Sequence, residues 1–187
     1  MTELSALMVP IVVSAIFIFL ASSIIHMATP WHKNDYLKLP NEEAFRSAVR
    51  PLAIPPGDYM VPRAMSMDEM KSPEFTAKGA EGPVAIMTVL PTGPFSMGKQ
   101  LFLWFVFTMV VSAFAGYVAG IALAPGATYG LVFRYVFTVA FAGYALALWP
   151  FTIWYRRALG TTLRSTIDGA LYAAITAGTF GWLWPNG

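Results

Sequence analysis

The chain has only two histidines, and both fall in one short run, His26-Met-Ala-Thr-Pro-Trp-His32-Lys-Asn-Asp35. Imidazole nitrogens with a carboxylate oxygen are the donor types that hold zinc, copper or iron, so His26, His32 and Asp35 form a candidate metal set. Pro30 breaks the chain between the two histidines and could let them converge. Two features weigh against the set. A closed metal site wants a fourth ligand, and the chain has no further histidine and no cysteine to supply it. Trp31-His32-Lys33 is also what an interfacial anchor looks like where a helix leaves a bilayer. No cofactor is required by the sequence, and which cofactor would bind is unknown.

Two other groups could do chemistry. Met60, Met65, Met67 and Met70 offer thioethers, soft ligands suited to Cu(I); their plainer role is to fill irregular apolar gaps. Asp168 lies inside an apolar segment, where an ionisable group is a functional candidate by default. Arg164, four residues earlier, offers it an ordinary i,i+4 ion pair.

Exclusions follow from what is missing. Without cysteine there is no disulfide framework, no thiolate zinc site and no iron–sulfur cluster. Two histidines cannot build a multi-histidine di-iron site, and His26 alone within the apolar segments cannot give two axial haem imidazoles. No lysine lies within a segment to form a Schiff base. No serine sits in a nucleophile elbow, and no phosphate loop ends in Gly-Lys-Ser/Thr. A formal charge of +2, with no basic run longer than Arg156-Arg157, excludes nucleic acid as a partner.

The elements that must position these groups are mostly apolar. Hydrophobic residues make up 57% of the chain and charged ones 12%, with a mean hydropathy of +0.59, against roughly 25% charged in a soluble domain. The fold class expected is an all-α integral membrane protein. Four transmembrane helices, about 4–27, 100–123, 131–155 and 165–184, carry a small mixed α/β extramembrane cap between the first and the second. The organisation is 1–28 as the first helix, 29–99 as the cap and 100–187 as a three-helix bundle. The first segment reads as a retained span rather than a signal peptide, because no Lys or Arg precedes it. Pro150 is expected to kink the third span. In the cap, Asn41 opens one short helix and Ser66 another, while Tyr59–Val61 and Val84–Leu90 read as strands.

Small residues recur every fourth position at Ser112, Gly116, Gly120 and Ala124, and again at Gly169, Ala173, Ala177 and Gly181. In a bilayer such faces let helices approach closely; the favoured use is packing within the bundle, the rival use a partner or dimer face. The shared pentapeptide of Ala113–Tyr117 and Ala140–Tyr144 is too short to mark an inverted repeat. Lys33, Lys38, Arg46, Arg50, Arg156, Arg157 and Arg164 gather on one side, which predicts a cytoplasmic cap and external termini. The functional expectation is an accessory, structural or assembly subunit of a larger bacterial inner-membrane complex, of a bioenergetic kind. Its partners are the lipid bilayer and other membrane subunits or a homo-oligomer. The alternatives are a small metal- or cofactor-binding redox protein and a small dimeric transporter with Asp168 as its coupling group.

Overall fold

The computed structural model describes residues 1–94 and 96–186. In chain order the elements are α1 (Met8–Ser23), α2 (Glu42–Val49), β1 (Gly57–Val61), α3 (Met67–Met70), α4 (Pro73–Glu81), β2 (Ala85–Val89), α5 (Gly98–Ala122), α6 (Tyr129–Tyr144), α7 (Trp149–Tyr155) and α8 (Leu159–Trp182). They form two compact units: Met1–Leu37 with Ser96–Gly187, and Lys38–Phe95. Thr29–Leu37 therefore belongs with the helices, and the insert proper is shorter than the 29–99 read from composition.

The first unit is a four-helix bundle. α1 packs on α5 and α8, and α6 packs on the same two, so the four helices close a ring. The interior is lined by Ile11, Ile18, Val111, Val132, Val136 and Phe180, with Leu7 closing one end. Three helices are long and apolar enough to cross a membrane: Leu4–Ala28, Gly98–Ala122 and Tyr129–Tyr155. α8 is long enough at 24 residues but less apolar, because it turns a polar face inward: Thr161, Thr162, Asp168, Thr176 and Thr179 are all buried. It also begins six residues before the expected start at 165, which brings Arg164 into the helix and shortens the preceding turn.

The small residues lie where the helices meet. A Cβ on Gly116 would sit 2.8 Å from the Phe180 ring, and one on Gly120 2.5 Å from the carbonyl of Thr2. On α8, Gly169 would meet Ala145 at 2.9 Å and Gly181 the Tyr129 ring at 2.6 Å. Ala173 and Ala177 are fully buried, Ser112 accepts a hydrogen bond from Ser14 at 3.0 Å, and the Ala124 carbonyl accepts one from Trp184. Both stripes are thus filled from within one chain. The two copies of the shared pentapeptide also differ in use, since Tyr144 is buried and Tyr117 exposed.

The third long segment stays helical from Tyr129 to Tyr155 but is interrupted by a tighter turn. α6 ends at Tyr144, a tight turn follows over Leu146–Leu148, and α7 restarts with Pro150 in its first turn. Proline lacks the N–H that would continue the ladder but suits a helix start. The break thus falls ahead of Pro150, at the point where Ala145 packs against Gly169.

The insert has well-made local structure. Asn41, Ser66 and Ser72 each accept a backbone N–H and cap α2, α3 and α4, and Glu69 reaches back to the N–H of Met65 at 2.7 Å. β1 and β2 pair antiparallel from Gly57 opposite Val89 to Val61 opposite Ala85. α4, capped by Ser72, is a third helix where the sequence suggested two. Among the described residues, none in this unit is buried.

Candidate metal centre at the end of the bundle

Local sequence at the end of α1 sets up the site. Ser22 and Ser23 both turn their hydroxyls back to the carbonyl of Phe19, at 3.0 and 2.8 Å, and the helix then widens into a π turn over Ile24–Ala28. Such turns reposition side chains and recur at functional sites. Pro30 holds Thr29 extended (φ −114°, ψ 154°) and ends the helix. Two short turns follow, Lys33 N–H to Pro30 and Asp35 N–H to His32. The chain doubles back, and the His32 ring stacks on His26 with centroids 4.2 Å apart and planes within 10°.

α8 supplies the other half. Arg164, Asp168, Tyr172 and Thr176 follow at four-residue spacing and so share one face. Asp168 Oδ1 accepts a hydrogen bond from the Trp31 indole at 3.1 Å, and its Oδ2 lies 2.7 Å from His32 Nε2. Arg164 donates through Nε and Nη2 to Asp35 Oδ1, and Asp35 Oδ2 lies 2.7 Å from His32 Nδ1. Burial works to raise the Asp35 pKa, but the hydrogen bonds and charges of His32 and Arg164 outweigh it and hold the carboxyl below its usual value.

The two imidazoles are presented alike. His26 Nδ1 faces the carbonyl of Ser22 at 2.9 Å and His32 Nδ1 faces the Asp35 carboxylate. Both partners accept only, so each Nδ1 carries a proton and each ring is held in a fixed orientation. His32 Nε2 is buried with no hydrogen-bond partner; Asp168 Oδ2 is close to it but out of line for a hydrogen bond. One donor atom from each of His26, His32 and Asp168 falls within 4.8 Å of the others. A first-row metal with bonds of about 2.0–2.2 Å wants adjacent donors about 3 Å apart and in line with each ring plane, so the stacked rings would have to turn toward a common ion to close the set. The carboxylates of Asp35 and Asp168 face the Arg164 guanidinium and the two ends of the His32 ring, so a protonated His32 or a bound cation would balance them.

Two readings of the sequence change here. Arg164 and Asp168 do not pair with each other: each reaches back to the segment after α1, Arg164 to Asp35 and Asp168 to His32 and Trp31. Asp35 stands behind His32 as its orienting carboxylate, and Asp168, which is 137 positions from Trp31 in sequence, takes the place facing the histidines. The four methionines Met60, Met65, Met67 and Met70 are exposed rather than filling a core.

No family model, no curated protein and no solved structure matches this chain. The geometry of the site therefore carries the functional reading.

Proposed function

We propose that this is a multi-pass membrane protein that binds a divalent first-row metal ion through His26, His32 and Asp168. The supporting observation is the placement of both histidines beside one buried carboxylate, with each imidazole oriented through its Nδ1. Asp35, fixed by Arg164, is the orienting partner that metal-binding histidines usually have. Two imidazoles and one carboxylate leave coordination positions open, the arrangement of catalytic zinc and non-haem iron sites rather than of closed structural ones. A redox or Lewis-acid role at that position is the function this favours. Elemental analysis of the purified full-length protein, followed by zinc reconstitution, tests it. About one equivalent is expected in the native protein, and His26→Ala or Asp168→Ala should lose it; metal content unaffected by either substitution would sink the reading.

In this reading α8 is the fourth span. Its length suffices, its outward residues Leu163, Ile167 and Leu171 are apolar and exposed, and its charged residues are matched at one end. The bilayer would be a bacterial inner membrane with both termini external and the insert cytoplasmic, as the Lys and Arg distribution suggests. A C-terminal reporter active in the cytoplasm would contradict that orientation.

A second reading, membership of a larger membrane complex as an accessory or assembly subunit, is favoured by the insert. It carries exposed Met60, Met65, Val84, Ile86 and Leu90 and, among its described residues, no buried side chain. A segment that buries so little cannot offset its ordering entropy alone. Native-detergent purification that yields only the isolated chain would contradict this role.

A further inference from the structure

Beside the candidate metal centre, between the end of α1 and α8, lies a cleft of about 580 Å³. Its walls are apolar: Ile25, Pro30, Leu171 and the indole of Trp31. Thr29, Arg164 and Asp168 are its polar groups. Trp31 and Leu171 are each more than two-fifths exposed, so the cleft opens sideways from the bundle. A volume of this size suits a small organic ligand, and a few polar groups among apolar walls would fix its orientation.

The polar groups select the ligand. Arg164 is already matched by Asp35, so an anionic head would gain little from it and would meet the carboxylate of Asp168. A cationic head would meet the guanidinium. A neutral hydroxyl satisfies both, donating to Asp168 while accepting from Arg164; the Thr29 hydroxyl is committed to the Ile25 carbonyl at 2.6 Å. The flat indole wall favours a planar ring, since aromatic faces stack. We propose that this cleft binds a membrane-dissolved hydroxylated aromatic of the quinol class, its ring on Trp31, its hydroxyl toward Asp168 and its apolar tail leaving past Ile25 and Leu171. The cleft shares Asp168 with the metal centre but does not depend on a bound metal.

The test uses the full-length protein in phosphatidylcholine nanodiscs, with a decyl-substituted hydroquinone as probe and calorimetry as readout. Saturable binding is expected. Leu171→Trp, a change at an exposed position that fills the cleft, should weaken it by about tenfold or more while leaving zinc binding unchanged. The dimethyl ether of the probe, which cannot donate to Asp168, should bind more weakly than the hydroquinone. Equal binding to the wild type and Leu171→Trp, equal binding of the ether, or displacement by a short-chain zwitterionic phospholipid at equal concentration would each overturn the proposal. If zinc fails to bind but the probe behaves as described, the metal reading falls and the cleft stands; the reverse result removes the cleft alone.

Discussion

The bundle and the insert solve opposite problems with the same kinds of residue. In the bundle, polar groups are buried and most are given a partner. Thr108, Thr176 and Thr179 bond carbonyls of their own helices at 2.7, 2.8 and 2.8 Å, and Ser14 meets Ser112 across the interface. In the insert, apolar groups such as Ile86 and Leu90 are left on the outside. Burial of an unpaired polar group costs about 1–3 kcal/mol, so unsatisfied ones are few. His32 Nε2 and the hydroxyl of Tyr172, one turn beyond Asp168, are the buried side-chain atoms without a partner among the described residues. The first lies in the candidate metal centre and the second is packed against Trp104 and Tyr144. The unsatisfied nitrogen lies in the candidate metal centre, and the exposed apolar side chains lie in the insert.

This contrast can be broken by substitution. The largest effect is expected at Asp168→Ala, which strips a 7% exposed carboxylate from Trp31 and His32 and should destabilise the bundle by about 3–5 kcal/mol. Chemical unfolding in detergent measures it, and a loss below about 1 kcal/mol would mean the cluster behaves like a surface ion pair. Gly169→Val comes next. Its added atoms meet Ala145 Cβ and the Tyr144 backbone, so the overpacking cost should be about 1–3 kcal/mol by the same assay. Ser112→Ala removes only the acceptor for Ser14, whose hydroxyl keeps the Ile11 carbonyl at 3.0 Å; about 1 kcal/mol is expected. Ile86→Ser in the insert should fall within about 0.5 kcal/mol for the isolated chain. A larger loss there would show that the insert has a core of its own and erase the contrast.

Much of the fold was readable from local pattern. Apolar runs with the right length gave α1, α5 and the third segment, and the caps at Asn41 and Ser66 were visible because capping depends on a few adjacent residues. Pro150 flagged the irregularity in the third segment, but not the tight turn just ahead of it, which lies where Ala145 packs against Gly169 of α8. The site was half legible. His26, His32, Asp35 and Asp168 were all singled out, yet grouped by sequence distance, which favours Arg164 with Asp168 and Asp35 with the histidines. The actual grouping needs the chain reversal at Pro30 and the closure of the ring between α1 and α8, both of which are tertiary. One local signal did point to it: Arg164, Asp168, Tyr172 and Thr176 at four-residue spacing form a polar stripe, and a polar stripe on a helix packed among apolar ones faces its neighbours.

The central claim is that two oriented imidazoles and one buried carboxylate form a metal-binding centre. Calorimetric titration of the metal-free full-length protein with zinc, alongside His32→Ala, addresses it most directly. The wild type should bind about one equivalent, and His32→Ala should bind at least about tenfold more weakly. Asp35→Asn, which leaves the ligands in place but loosens the orientation of His32, should lose about 10–100-fold. Indistinguishable isotherms for the wild type and His32→Ala, or no heat from either, would contradict the account.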